Sequence, residues 1–320
     1  MSDTSTRTHH RVCHLCEAMC GLVIRTEGDK VTDIRGDKDD PLSRGHVCPK
    51  AVALQDIHED PDRLRKPLKR IRTAPGEYQH VEIEWSEALD LAANALASTI
   101  EKRGVDAIGA YFGNPSVHNY GMLTHQRNLF RHIRTRNRFS ATSVDQLPHH
   151  LVSLWCFGHM LLHPIPDVDR THYFLMLGAN PLASNGSIWT VPDVRQRLKD
   201  LKSRGGKLVV VDPRRTETAE LASEHLFIRP GTDAAFLLAM IHVLFRDDLV
   251  APGPLATFTD GLAEVAGAVS RLSPDWASAL TGIAAGDIER IAHELAQAEA
   301  GICYGRMGVS TQAYGALCQW

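Results

Sequence analysis

The chain has 320 residues, is 43% hydrophobic and 23% charged, and carries a formal net charge of -3. This balance excludes a fibrous or disordered chain, and so small a net charge argues against bulk binding to nucleic acid or a membrane surface. No apolar run approaches the roughly 20 residues of a membrane span. The opening MSDTSTRTHHRV has neither the apolar core nor the twin arginine of an export signal, so a cytoplasmic location is expected.

The first feature along the chain is VCHLCEAMCGL, which places Cys13, Cys16 and Cys20 in a C-x2-C-x3-C spacing; Cys48 follows, and then Pro49. Stable disulfides are rare in a reducing compartment, so the grouping needs another explanation; metal binding is favoured, and a cysteine cluster without metal stays open. Structural zinc sites usually use two short cysteine pairs, whereas three clustered cysteines and one remote Cys-Pro suit an iron–sulfur cubane better; zinc stays open on spacing alone. The stretches Leu22–Thr26 and Lys30–Arg35, joined by Glu27-Gly28-Asp29, read as a hairpin that returns Cys48 towards the other three. The scattered Cys156, Cys303 and Cys318 read as buried apolar thiols.

Residues 58–80 are charged and proline-containing and read as a loop-rich crossover. An alanine-rich amphipathic helix then starts at Trp85, with Ser86 as its N-cap, and runs to about Lys102. Repeated strand–loop–helix units follow. Strands are expected in DAIGAYFG, THYFLMLGANP, KLVVVDPRRTETA, HLFIRPG and GICYGRMGV, and helices in VPDVRQRLKDLKSRGG and TDAAFLLAMIHVLFRD. Runs such as Leu208–Val211 suit parallel strands covered on both faces. The alternation predicts a doubly wound, Rossmann-like α/β sheet, whose ligands bind at the carboxyl ends of the strands.

Three loops sit at such ends. LGANPLASN offers Gly178, Asn180, Ser184 and Asn185. VVVDPRRTET offers Asp212, Arg214 and Thr216. RPGTDAA offers Gly231, and Asp233 just before a helix. Glycine permits close backbone approach, carboxylates accept from ribose hydroxyls or ring nitrogens, and amides at a helix start favour anions. Any one stretch is equally readable as a turn; three in succession favour a dinucleotide-type ligand.

Seven stretches in this order, CHLCEAMCGL…GHVCPKA, FGNP, NRFSATSVDQLP, LGANP, VVVDPRRTETA, RPGTDAA and GRMGVSTQAYG, make the chain resemble the molybdopterin oxidoreductase family, which includes formate dehydrogenases and periplasmic nitrate reductases. The resemblance implies a [4Fe–4S] cluster on Cys13, Cys16, Cys20 and Cys48. It also implies one molybdenum or tungsten ion held in the complete enzyme by two molybdopterin guanine dinucleotides, with Lys50 on the electron path between cluster and pterin. Asn114, Met307, Gly308 and Gln312 join the cofactor-binding loops. Asp145 takes the position where formate dehydrogenases carry cysteine or selenocysteine as metal ligand, with Ser143 as the alternative, and Gln146 stands where they have histidine. Both departures point away from formate oxidation. His149 and His150 are not expected to form a second metal site.

The organisation so implied is a small iron–sulfur domain of short strands (1–57), the first part of an α/β domain (58–136), a Rossmann-like domain binding one pterin dinucleotide (137–300), and a return to the second domain (301–320). Family members are longer, so C-terminal domains are expected to be missing. The implied function is two-electron redox chemistry on a small substrate, with electrons passed through the cluster to an external donor or acceptor protein. The alternatives are a non-redox hydratase of the same fold, a non-catalytic cluster- or zinc-binding module, and an electron-transfer module without pterin.

Overall fold

A computed structural model describes residues 5–113 and 115–320. The chain divides into two compact units, Met1–Ala141 and Thr142–Trp320.

The first unit opens with a three-stranded antiparallel sheet, β1 (Thr6–Val12), β2 (Gly21–Glu27) and β3 (Lys30–Gly36). The expected hairpin is β2–β3, turned at Gly28-Asp29 with Gly28 at φ 58°. Strand β1 precedes it and carries an almost wholly exposed THHR run that has no apolar alternation to announce it. Two short helices follow, α1 (Pro49–Val52) and α2 (Leu54–Glu59). The expected crossover over 58–80 is instead partly a hairpin of β4 (Leu68–Ala74) and β5 (Glu77–Glu82), turned at Pro75-Gly76. Its charged residues are spread over two exposed faces, so composition made it look like a loop. Helix α3 (Trp85–Arg103) is capped at Glu84, which leaves Ser86 inside the first turn rather than at the N-cap. A parallel pair, β6 (Ala110–Phe112) and β7 (Arg138–Ser140), flanks α4 (Pro115–His118) and α5 (Tyr120–Ile133).

The second unit begins with α6 (Thr142–Asp145) and α7 (Leu147–Phe157) and is built around four parallel strands: β8 (Tyr173–Leu177), β9 (Lys207–Val211), β10 (Glu224–Leu226) and β11 (Gly301–Gly305). Their order is β10-β9-β8-β11. Residues 301–305 therefore complete the same sheet as β8, and the expected return of 301–320 to an earlier domain is corrected. The apolar GICYG run has a parallel partner waiting on the open edge of β8.

Helices cover both faces of this sheet: α8 (Pro181–Ser184), α9 (Val194–Ser203), α10 (Glu217–Leu221), α11 (Asp233–Arg246), α12 (Leu262–Val269), α13 (Pro274–Thr281), α14 (Ala285–Gln297), α15 (Met307–Ser310) and α16 (Gly315–Gln319). Alternate strand residues divide between two cores. Tyr173, Leu175, Leu177, Val209 and Val211 pack with Phe236, Met240 and Val243 of α11 and Ile288 and Ile291 of α14. Phe174, Met176, Leu208 and Val210 pack with Leu198 and Leu201 of α9 and with Trp189. This is the doubly wound arrangement expected of strands apolar on both faces. Among the described residues no helix is long and apolar enough to cross a membrane.

Candidate functional site

In the first unit, Val12 pairs with Gly21 at the end of the sheet, which sets Cys13 beside Cys20. The Cys13 amide donates to the Cys20 carbonyl at 2.8 Å. The loop between them turns through Met19, held at φ 55°. Cys48 is brought in from the far side of β3 by close backbone packing. A Cβ on Gly36 would lie 2.0 Å from the Gly45 carbonyl oxygen, so the loop before Cys48 lies flat on the end of β3. Ser43 locks it further: its hydroxyl accepts from the Gly21 amide at 3.0 Å and donates to Asp40 Oδ2 at 2.5 Å. Cys48 then precedes α1 as its N-cap residue.

Cys13, Cys16, Cys20 and Cys48 all belong to one small buried cluster, with Cys13 and Cys20 themselves buried. Burial, together with the sulfurs of Cys13, Cys16 and Cys48, pushes the Cys20 thiol up to about 11. Four sulfurs within electrostatic reach of one another resist ionisation unless a cationic centre sits among them, and a bound metal reverses the balance by holding each as thiolate. The donor set thus fits an iron–sulfur group chemically. Among the described residues no three His, Cys, Asp or Glu side chains already form a single-ion site. Lys50 is exposed on α1, two residues beyond Cys48.

In the second unit, the register makes the strands end flush: Leu177 is opposite both Val211 and Gly305, and Val211 is opposite Leu226. Four loops leave this single rim. Between β8 and β11 the chain direction of the winding reverses, which is where open α/β sheets place ligands. Here the backbones touch. Gly178 has φ 55°, and a Cβ on it would lie 2.8 Å from Gly308 Cα; the Gly308 amide donates to the Gly178 carbonyl at 2.9 Å. Any side chain at either position would part the two loops.

Asp233, 3% exposed at the start of α11, accepts from the Gln312 amide at 2.7 Å, and the same amide nitrogen donates to the Gly308 carbonyl at 2.6 Å. Burial pushes the Asp233 carboxyl up while the Gln312 bond opposes the shift, and Asp212 lies near enough to raise it further. Asp212 is half-buried, and its Oδ1 accepts from the Arg214 amide at 2.8 Å. The structure therefore brings Gly178, Gly308, Gln312, Asp212 and Asp233 together on one rim.

Other sequence candidates are engaged within the protein. Asn180 is spent on α10, its Oδ1 accepting from Thr218 Oγ1 at 2.7 Å and its Nδ2 donating to Glu217 Oε2 at 2.7 Å. Thr216 caps α10 by accepting from the Ala219 amide. Arg214 lies 3.6 Å from Glu217. Ser184 ends α8, and Asn185 follows in the left-handed conformation that closes it. Gly231 is an exposed turn residue at φ 84°, and Met307 is exposed. Asn114 lies outside the described residues.

Asp145 ends α6, and its Oδ1 is buried without a hydrogen-bond partner. It lines a 420 Å³ cavity with Ser143, Pro148, Leu151, Ser310 and Gln312. A buried carboxylate oxygen facing no donor fits a ligand to an electropositive centre. Gln312 connects this cavity to Asp233. A second cavity, of 440 Å³, is lined by His149, Ser153, Cys156, His163, Cys303 and Tyr304 among others. Cys156 and Cys303 are exposed and Cys318 is half-buried, so the expectation of three buried thiols is corrected: the cavity they line gives solvent access to residues that composition places in a core.

The polar group beside this cavity is almost silent in the sequence. Arg306 follows β11 and is 8% exposed. His149 accepts from Ser310 Oγ or donates to it at 3.2 Å and contacts the Gly305 carbonyl at 3.0 Å; burial and the Arg306 charge push its ring down to about 4. Burial also lowers His150 and His163. The only signal was Arg306 itself within GRMGV, a charge at the end of a buried strand with no acid near it in sequence.

Comparison with known proteins places this geometry. The profile of the molybdopterin oxidoreductase family matches residues 63–271, and that of the molybdopterin oxidoreductase Fe4S4 domain matches residues 6–59. The chain belongs to the molybdopterin oxidoreductase family. Formate dehydrogenase H of Escherichia coli is 29% identical over 311 residues, covering 95% of this chain and 42% of that protein. The probable oxidoreductase YoaE of Bacillus subtilis is 28% identical over 291 residues, covering 88% of this chain and 40% of that protein. The solved structure of acetylene hydratase from Pelobacter acetylenicus superposes with a TM-score of 0.78 at 26% identity, covering 97% of this chain and 42% of that one. The chain thus spans about two fifths of the length of these relatives. The four-cysteine corner lies within the range matched by the Fe4S4-domain profile, and β8, β9 and β10 within that matched by the molybdopterin oxidoreductase profile.

Proposed function

We propose that this chain is the N-terminal part of a molybdenum- or tungsten-dependent bis(pterin guanine dinucleotide) oxidoreductase acting on a small substrate in the cytoplasm. The observation that carries the reading is Asp145, whose buried, partnerless Oδ1 faces a cavity that shares Gln312 with the Asp233 rim. When bound, the pterin-held metal supplies two-electron chemistry and the iron–sulfur cluster carries single electrons.

The protein's part is placement. Gly178 and Gly308 let the two rim loops close on one another, which fixes the notch between β8 and β11. Asp212 and Asp233 offer acceptors to the hydrogen-bonding groups of one guanine dinucleotide end, and Gln312 holds Asp233 in position. Asp145 presents a hard oxygen to the metal, a donor that favours its higher oxidation states more than a thiolate does. Gln146 is adjacent to the reacting centre, Lys50 lies on the electron path between pterin and cluster, and the cluster passes electrons on to an external protein partner.

A second reading is a hydratase of the same fold, favoured by the close superposition on acetylene hydratase. Metal and pterin analysis of the purified protein, followed by dye-linked assays, separates the readings. Molybdenum or tungsten with pterin and substrate-dependent dye reduction supports the oxidoreductase. Product formation without dye reduction supports the hydratase, and iron alone supports an electron-transfer module. Asp145→Ala should lower turnover at least a thousandfold while cluster absorbance is retained, and X-ray absorption should lose one protein oxygen from the metal. If that oxygen survives Asp145→Ala and disappears in Ser143→Ala, the ligand is Ser143.

A further inference from the structure

Arg306 is more than nine-tenths buried at the end of β11. Its Nη2 donates to Ser187 Oγ at 2.6 Å and makes a long contact of 3.5 Å with Gln146 Oε1. Its Nε and Nη1 are buried and meet no acceptor. No ion pair to this guanidinium occurs among the described residues, whereas the other well-buried arginine, Arg197, is paired with Asp169. A guanidinium cannot shed its proton to escape burial, so an anion is what such a site lacks.

Its neighbours agree. Tyr304, two residues back along the extended chain, has a buried hydroxyl without a partner, and the buried ring of His150 has only the Met160 backbone near it as an acceptor, with no close hydrogen bond. The rings of His150 and His163 stand 4.9 Å apart edge to face, and His163 is engaged by Ser153 Oγ at 2.8 Å, so His150 and His163 form a fixed wall with no negative charge of its own. The side chains that Arg306 meets, Ser187 and Gln146, are neutral; the carboxylate of Asp145 lies within electrostatic reach of His150 and makes no ion pair with Arg306.

We propose that Arg306, with Tyr304 and His150 beside it, is the anchor of an oxyanion-binding site in the second unit. The occupant is a small oxyanion: a carboxylate or inorganic oxyanion arriving as substrate or effector, or a phosphate of the bound cofactor. The site stands on the uncompensated guanidinium and not on which residue ligates the metal, so it survives if Asp145 is not the ligand.

The test uses the full-length protein with its cofactors in place. Melting temperature is followed against formate, nitrate and inorganic phosphate, with chloride at matched ionic strength as control. The wild-type protein should show a saturable rise with at least one oxyanion that chloride does not reproduce. Arg306→Lys should need at least tenfold more of that anion for half the effect, because a lysine cannot present the same array of N–H groups. Arg306→Met should abolish the response while melting no lower than wild type in anion-free buffer, since it removes a buried charge that lacks a counterion; an arginine with only a structural role would lower it.

Cofactor analysis separates the sources. Retained pterin in Arg306→Met, with loss of the response, assigns the site to a diffusible oxyanion. Lost pterin, with a response to inorganic phosphate in pterin-depleted wild type alone, assigns it to the cofactor's phosphate. Should Arg306→Met fail to fold, Arg306→Lys and Tyr304→Phe provide the same titration. A wild-type protein with no oxyanion response in either its loaded or its pterin-depleted form overturns the proposal, as does an undiminished response in all variants; in the first case a carboxylate elsewhere in the full chain already pairs with Arg306.

Discussion

The two halves of this chain are stabilised in opposite ways. The four-cysteine corner buries Cys13, Ala18, Cys20, Leu22, Ile34 and Ala51, a set with two thiols and no aromatic ring. The four-stranded sheet buries Phe174, Leu175, Met176, Leu208, Val209 and Val210 at 0% exposure, with a helix layer on each face. The first has too little apolar surface to order its loops unaided, so a bound cluster is part of its folding free energy. The second folds on its own core and only presents a rim to its ligand. On the proposed function, metal is architecture in the cysteine corner, and cargo at the edge of architecture in the second unit.

The sharpest way to break the contrast is Cys48→Ser. It should lose the iron and visible absorbance of the cluster and open residues 6–59 to limited proteolysis, leaving the fragment around 173–305 resistant; full iron retention would sink the cluster assignment. The reciprocal change is Phe236→Ala, which empties a fully buried aromatic from the α11 face. It should cost about 3–5 kcal/mol in urea unfolding of the second unit and leave the iron content unchanged. Next comes Asp212→Ala with Asp233→Ala. Hydrogen bonds to charged groups contribute about 1.5–3 kcal/mol each, so pterin occupancy should fall more than tenfold with the cluster intact; unaltered occupancy would place the dinucleotide on other loops.

The mildest probe is pH. His149 has a folded-state value of about 4, below its ordinary value of 6.5. The unfolded chain therefore binds more protons between these values, so stability is full above pH 6.5 and declines as pH falls towards 4. Each pH unit in that window removes at most about 1.4 kcal/mol. The slope should flatten in His149→Asn, and melting curves from pH 4 to 7 measure it.

What the sequence revealed follows from the same contrast. Strands β8 and β9 were legible because both faces are covered, so LMLG and LVVV are continuous apolar runs. The hairpin β2–β3 was legible from its Gly28-Asp29 turn. Strands β1, β4 and β5 were not, because thin exposed sheets leave no apolar period to read. The rim residues Asp212 and Asp233 could be picked out by their place after strands, but the use of Asn180 as a tie to Glu217 and Thr218 of α10 joins loops more than 30 residues apart and is invisible in one dimension, whereas Thr216 caps α10 locally through the Ala219 amide. Arg306 lies within the GRMGV stretch, yet a lone arginine reads as solvated until its burial is known.

The contact between Gly178 and Gly308 also sets a schedule. The two residues are 130 positions apart, 308 less 178, so the notch between β8 and β11 cannot exist while the intervening chain is still being made. At about 5–20 residues per second, that interval is about 7–26 s of synthesis. Until β11 is made, β8 has an edge open and the rim lacks its fourth loop. Any dinucleotide offered to the nascent chain in that period meets half a binding site. If the rim holds the dinucleotide as proposed, loading waits until residue 308 has emerged, and a pause or truncation before β11 should yield a chain that holds iron but never acquires pterin.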